Sequence, residues 1–527
     1  MIALLICVPV TLAAILLLER LVKPKRARQP LFHRVRLLSV MPGLVFYVTI
    51  FMIGYRPIFA AGACILVLTA IVILNNSKYA ALKEPLVFSD FYLLREIVNH
   101  PHLYVKYIGV INIIAVTIGA FMLIYTGIVY EPPIIERVSV IDYFPLLIYL
   151  YIVLGMIYAV TRGPFRGIFM QFLRNLGPKL KVDEDVDKLS LIACLIVYFF
   201  LANETPAVRP PLPNGQPAMP AIRRLRTVPW NEGPWPAVVA VQNESFFDAR
   251  RLHKGIRRNL LSRWDDICER ALYHGRLGVP AWGANTMRTE FGFLSGLPSE
   301  ALGVNRFNPY LRLGTKPVWT LANHLKMLGY RTICVHPYQG SFFDRRNVFP
   351  NLGFDRFIDI QAFSEDQNFG PYVSDLAVAD KIVELLRDDD APQFIFAITM
   401  ENHGKWEKER LAKVAAPEDL ADPPFGSVEL GLYLRHVANA DAMAGRLVDA
   451  LEKRPGEAVF CMYGDHLPSL PKVFAAAKCD DARTDYVIWR KGGNGGLHVD
   501  TTVDILSRLV IDGMHRYEED SRRVVTA

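Results

Sequence analysis

Cysteine is scarce here, and none of it is arranged for a metal knuckle: the seven cysteines of this 527-residue chain form no CxxC pair and no zinc-finger spacing. A structural zinc site of the usual kind and a dense disulfide framework are therefore not expected. Cys7, Cys64 and Cys194 fall inside apolar runs, where they behave as small hydrophobes. Cys268, Cys334, Cys461 and Cys479 remain, and an outward location would allow one disulfide among them. A basic stripe with interleaved aromatics is also missing. The formal charge of +7 is modest for this length, and the basic residues gather in loops between apolar runs, so no nucleic-acid partner is expected. The first apolar run has neither a basic n-region nor a clear small-residue cleavage site and does not read as a signal peptide.

What the chain has in excess is apolar surface. It is 52% hydrophobic, with a mean hydropathy of +0.21, too greasy for an ordinary soluble protein. The excess lies before about Asn203, in runs near residues 2–18, 37–54, 57–74, 107–127, 143–161 and 189–202. Each is close to the ~20 residues that span a bilayer, and six spans is the simplest count. Arg20, Lys23, Lys25, Arg26, Arg28, Arg34 and Arg36 follow the first run, and Arg162, Arg166, Arg174, Lys179 and Lys181 follow the fifth. The outer loops hold only Arg56 and Arg137. Positive charge stays on the cytoplasmic side, so the N-terminus and everything after Asn203 are expected outside, on a multi-pass protein of the cell (inner) membrane. The expected division is a transmembrane domain over 1–203, a proline-rich linker without periodicity over 204–236, and an extracytoplasmic domain over 237–527.

In that last domain short β-branched runs alternate with helix-like stretches, the pattern of an α/β fold with a largely parallel sheet. Four runs end in polar residues: AVVAVQ in Asn243 and Glu244, YRTICV in His336, QFIFAIT in Glu401, Asn402 and His403, and EAVFCMY in Gly464, Asp465 and His466. Ligands bind outside the carboxyl ends of strands in such sheets, so these residues point to one convergent site. Taken singly, each is as readily a turn or cap residue. Glu244, Asp465 and His466 together offer two hard oxygens and an imidazole, a set suited to one divalent cation, Mn²⁺ or Mg²⁺ before Zn²⁺. Thr286 follows a Gly- and Ala-rich turn and precedes a helix start, where negative charge is favoured. It reads either as a nucleophile or as a simple N-cap completed by Thr289 or Glu290.

These segments resemble the lipoteichoic acid synthase family, within the alkaline phosphatase and sulfatase superfamily. The resemblance runs through most of the outer domain. It rests on YGDHLP from Tyr463, QNESF at Glu244, NTMRTEF at Thr286, HPYQGSFFDRR at His336, GFDRFID from Gly353 and TMENHGKW around His403, in matching order. KEPLVFSDFYLL in the loop after the third run is similar in kind, although that family usually has five spans. The resemblance implies a helical transmembrane bundle followed by an alkaline phosphatase/sulfatase-like α/β domain. It implies Thr286 as nucleophile, with Glu244, Asp465, His466 and the Thr286 oxygen holding the metal, and His336, Phe343, Arg345 and His403 facing the substrate. Phe343 stands where Gram-positive members have tryptophan, and Tyr338 where they have an acidic residue.

The implied reaction moves phosphoglycerol from a phospholipid, phosphatidylglycerol by preference, to a hydroxyl of a surface or periplasmic glycan or polymer. It would pass through a covalent Thr286 intermediate and release diacylglycerol. A phosphoethanolamine transferase would share threonine, metal and anchor. A sulfatase needs Cys or Ser in a C/S-x-P-x-R context for its formylglycine, which NTMRT does not supply. A non-catalytic binding or sensing protein would be expected to have lost a key position, and every one is filled.

Overall fold

The computed structural model describes residues 2–24, 35–93, 96, 99–135, 143–204, 235–312, 314–387, 392–407, 410, 424–493 and 495–514. Most of the first basic loop (25–34), the segment around Arg137 and most of the expected linker (205–234) lie outside these residues. Contacts divide the chain into two units, Met1–Thr205 and Pro206–Ala527.

The first unit is helical. Its long elements are α1 (Ile2–Glu19), α2 (Val35–Gly54), α3 (Pro57–Leu82), α4 (Val110–Val129), α5 (Phe144–Thr161) and α6 (Leu191–Glu204). Helices α2 to α5 are long and apolar enough to cross a membrane, whereas the apolar stretches Leu5–Glu19 and Leu191–Asn203 are shorter. Four candidate spans thus stand among the described residues, where the sequence suggests six. Helix α5 buries none of its residues within the unit and exposes Leu147, Tyr151 and Leu154. An apolar surface of that extent fits lipid rather than water.

Only Tyr55 and Arg56 separate α2 from α3, and Tyr55 turns the chain with a φ of 52°. Pro57 sits at the start of α3, where no backbone donor is needed. The Glu131 carboxylate accepts from the next two amides, those of Ile58 and Phe59, both at 2.7 Å. At the other end of α3 the KEPLVFSDF segment folds back on the helix. There Lys78 Nζ donates to Glu84 at 2.8 Å, to Asp90 at 2.7 Å and to the Pro85 carbonyl at 2.9 Å.

The second unit is built on a nine-stranded, mainly parallel sheet. Its main strands are β1 (Ala237–Asn243), β2 (Tyr273–Gly278), β3 (Arg331–Val335), β4 (Arg356–Ile358), β5 (Gln393–Ile398), β6 (Ala458–Gly464) and β7 (Thr484–Arg490). They lie in the order β2-β7-β6-β1-β5-β3-β4, with the two-residue strands Leu497–His498 and Thr501–Thr502 pairing with β2. Strands β6, β1, β5, β3 and β4 pair in parallel, and β7 is antiparallel to both of its neighbours.

Every residue of β1, β5 and β6 is buried, as expected of strands covered on both faces. The period of two then sorts them into two cores. Val239, Val241, Ile395, Ala397, Phe460 and Met462 face one side, and Val238, Ala240, Phe394, Phe396, Val459 and Cys461 the other. The first core packs against α8 (Asp375–Arg387) and α9 (Val428–Lys453), the second against α7 (Thr286–Ser295) and α10 (Val503–Met514). All seven cysteines are free thiols. Helix α7 is thereby held over the strand ends that carry the polar residues.

Candidate metal centre and active site

The four strands whose sequences end in polar residues are adjacent in the sheet, in the order β6-β1-β5-β3. Their carboxyl ends bring Glu244, Asp465 and His466 together, with one ligand atom of each lying within 4.8 Å of the others. His466 Nε2 stands 3.5 Å from Glu244 Oε1 and 3.3 Å from Asp465 Oδ2. His466 Nδ1 is 3.0 Å from the Leu467 carbonyl, which can only accept, so Nδ1 carries a proton and Nε2 is the nitrogen turned toward the two carboxylates. Asp465 Oδ1 accepts from the amides of Ser245 and His466, each at 2.8 Å, while the buried Oδ2 receives no hydrogen bond.

Burial, and then Asp465, pushes the Glu244 pKa well up. Asp465 is raised by burial too, with the His466 ring and the Thr286 hydroxyl among the groups that pull it back. Two buried carboxylates facing one another are costly unless a cation lies between them, and the His466 ring supplies a third donor beside them. The donor set fits a divalent ion with mixed oxygen and nitrogen preference.

Thr286 is the first residue of α7, and Asn285 before it adopts the left-handed conformation, with a φ of 70°, without capping the helix through its side chain. Its hydroxyl is thus placed beside the Asp465 carboxylate at a helix N-terminus. Thr289 is fully buried and donates from Oγ1 to the Asp465 carbonyl at 2.8 Å. Of the two threonines, Thr286 is the partly exposed one.

The four residues expected to face the substrate occupy different settings. His336 is buried, and because Arg345 Nη1 can only donate, His336 Nε2 accepts from it at 3.2 Å. Its Nδ1–H then donates to the Ile398 carbonyl at 3.2 Å. Burial and the Arg345 charge hold this imidazole well below the usual pKa, in its neutral form. Arg345 is itself only 1% exposed and is forked by the Glu290 carboxylate, with Nε 3.2 Å from Oε2 and Nη2 on Oε1. Phe343 lies in the left-handed region, with a φ of 55°, as does Asp344 after it. The Phe343 ring is 5.1 Å from the Arg345 guanidinium. His403 is partly exposed, with Nδ1 2.9 Å from the Gly404 carbonyl and its ring 5.7 Å from Tyr372. Tyr338 packs on Phe342 and Tyr372.

Sequence reading missed the groups behind these residues. Thr399 Oγ1 accepts from the Glu244 amide at 3.0 Å and from Asn243 at 3.1 Å, and Asn243 also donates to Asp375 at 2.9 Å. Glu401, which its place at a strand end made a candidate for the pocket, turns inward. It accepts from the Asp375 amide at 2.7 Å, Asn439 at 2.7 Å and His436 Nδ1 at 2.8 Å. Buried Asp, Asn and His inside helical segments were the available signal, but nothing local to them shows which strand end they serve.

The sulfatase family model matches residues 236–507. A capsular polysaccharide biosynthesis protein of Rhizobium meliloti, RkpI, is 29% identical over 498 residues, 92% of this chain and 88% of that protein. A putative cyclic beta-1,2-glucan modification protein of the same organism is 30% identical over 241 residues, 46% of this chain and 37% of the relative. Among solved structures, the integral membrane lipooligosaccharide phosphoethanolamine transferase A of Neisseria meningitidis superposes with a TM-score of 0.51 over 95% of each chain, at 14% identity. That likeness extends the shared architecture from the sheet to the apolar helices. Since the family match spans more than half of the chain and covers β1 to β7 with the strand ends just described, this protein belongs to the sulfatase family.

Proposed function

We propose that this protein is a membrane-bound phosphoglycerol transferase that uses Thr286 as its nucleophile. The observation that carries the reading is the Thr286 hydroxyl at the start of α7, beside Asp465 within the Glu244, Asp465 and His466 cluster. A divalent cation bound by Glu244, Asp465 and His466 would favour loss of the Thr286 proton and offset charge on the phosphoryl oxygens. The helix N-terminus favours the same negative charge.

In the first step Thr286 Oγ bonds to the phosphorus of phosphatidylglycerol and the bond from phosphorus to the diacylglycerol oxygen breaks. Thr286 gives up its proton, and the departing alkoxide takes one up as diacylglycerol leaves. A glycan hydroxyl then attacks the same phosphorus and gives up its proton, the bond from phosphorus to Thr286 Oγ breaks, and the threonine oxygen takes a proton back. His336 is neutral and buried, so it serves as a fixed hydrogen-bonding group rather than a cation. A lipid donor suits a domain tethered to membrane helices, because tethering raises the effective concentration of donor at the site. Relatives named for capsular polysaccharide biosynthesis and cyclic glucan modification support a glycan acceptor.

The phosphoethanolamine reading draws on the full-length likeness in architecture, which speaks to fold alone. An ammonium headgroup wants a carboxylate or an aromatic face. Glu401 is fully engaged by His436, Asn439 and the Asp375 amide, and Glu290 by Arg345 and Tyr310, which leaves neither carboxylate free to meet an ammonium. These features favour the neutral glycerol headgroup. The test is mass spectrometry of the Thr286 peptide after the purified full-length protein is incubated with phosphatidylglycerol. A phosphoglycerol adduct is expected. An adduct only with phosphatidylethanolamine overturns the headgroup, and no adduct with either lipid overturns the threonine mechanism.

A further inference from the structure

Helix α7 carries a second acid-base group whose role the transfer scheme leaves unassigned. Glu290 lies one turn beyond Thr286, fully buried, and its carboxylate is shared by two partners from elsewhere in the fold. Arg345 grips it through Nε and Nη2, and Tyr310 donates to Oε2 at 2.6 Å. The remaining edge of the guanidinium is also occupied: Nη1 donates to His336 Nε2 at 3.2 Å, and the rings of Phe342 and Phe343 lie 5.6 Å and 5.1 Å from it.

A chain of contacts therefore runs from the nucleophile helix through Glu290 and Arg345 to His336 at the end of β3. Simple charge balance does not require this arrangement. A bidentate fork fixes the plane and position of the guanidinium, where a single contact would leave it free to rotate. Because Glu290 and Thr286 share one rigid helical turn, fixing Arg345 relative to Glu290 fixes it relative to the nucleophile. Glu244 also feels both charges: Arg345 lowers its pKa and Glu290 raises it, placing the pair within electrostatic reach of the cluster.

We propose that Glu290 is a positioning residue for phosphoryl transfer, holding Arg345 and through it His336 in register with Thr286. The inference rests on the transferase reading above. Three variants of the full-length enzyme test it with phosphatidylglycerol as donor: Glu290→Asp, Glu290→Gln and Arg345→Gln, alone and as the Glu290→Gln/Arg345→Gln pair. Glu290→Asp keeps the charge but shortens the arm by one methylene. A role limited to neutralising Arg345 would leave its kcat near wild type.

The positioning role predicts a fall in kcat of about 10²-fold with KM within a few fold, since a displacement of about 1 Å in a catalytic arrangement costs that much. It also predicts that the double variant is no slower than Arg345→Gln alone. Should Glu290→Gln fail to fold, Glu290→Asp and Tyr310→Phe decide the matter, the latter leaving the fork intact and lowering kcat by less. Wild-type kcat in Glu290→Asp, or multiplying effects in the double variant, overturns the inference while the Thr286 adduct of the parent enzyme still forms. If the parent enzyme forms no adduct, both readings fall together.

Discussion

Two threonines stand three residues apart on α7, and their surroundings assign them different work. Thr289 spends its hydroxyl on the Asp465 carbonyl inside the protein, where it ties the helix to the strand end. Thr286 keeps its hydroxyl beside the Asp465 carboxylate with part of its surface open. Thr286→Ala removes the oxygen proposed to attack and little volume, so a folded protein with activity lowered by more than ~10³ is expected. Thr289→Ala loses one buried hydrogen bond, which costs about 1–3 kcal/mol of stability, and retains the adduct-forming hydroxyl. Kinetics and unfolding of the two variants together check this. Full activity in Thr286→Ala with a dead Thr289→Ala would exchange the roles.

At the scale of elements, the site depends on how closely β1 and β6 approach beyond their last pair, Asn243 with Gly464. A Cβ at position 464 would sit 1.7 Å from the Phe246 carbonyl oxygen and 2.7 Å from its carbon, so only glycine permits the crossing. Gly464→Ala must push apart the turns carrying Glu244 and Asp465. A loss of about 3 kcal/mol or more is expected, together with loss of bound divalent cation, read by unfolding and metal analysis. Wild-type stability and metal content would show that the approach is not needed.

Behind β5, burial raises Glu401 to about 7 and lowers His436 to about 3, leaving His436 neutral at ordinary pH. A carboxyl held above its unfolded pKa adds stability that is fully present below about 4.3 and is lost as pH rises through the folded value. His436, held below its unfolded value, works the other way and adds stability as pH rises to about 6.5. Between about pH 4.5 and 6.5 the melting temperature should therefore change little in the parent protein and rise with pH in Glu401→Gln. Equal slopes would count against an uncompensated charge at this position.

The strands and their polar ends were readable from sequence because period and composition are local properties: AVVAVQ, YRTICV, QFIFAIT and EAVFCMY are four neighbouring strands of the sheet. The Glu290 and Arg345 pair was not. Its members lie 55 residues apart, and at sequence level Glu290 is indistinguishable from a helix-start residue. The inward turn of Glu401 was hidden for a related reason, since its partners His436 and Asn439 come from a helix whose placement only the assembled sheet reveals.

For the whole molecule the open physical question is which side of the membrane holds the catalytic unit, and loop charge supplies the argument. Lys and Arg near span ends resist translocation whether or not an acidic partner neutralises them. Lys179 and Lys181 therefore count as inner-side markers although both pair with Glu184. With Arg162, Arg166 and Arg174 they make the stretch after α5 the strongest such signal among the described residues of this unit. On that argument one more crossing after the stretch, through the short apolar helix α6, is expected to carry the chain outward, to the face where the proposed lipid donor and glycan acceptor would meet. Lys181 and Glu300 both have well-exposed side chains, at 69% and 79%, and suit reporter cysteines. In a background with the partly buried Cys268 and Cys479 replaced by serine, Glu300→Cys should react with a membrane-impermeant maleimide on intact cells. Lys181→Cys should react only after permeabilisation. The reverse pattern would put the catalytic unit in the cytoplasm, and equal labelling of both before permeabilisation would mean that α6 does not cross.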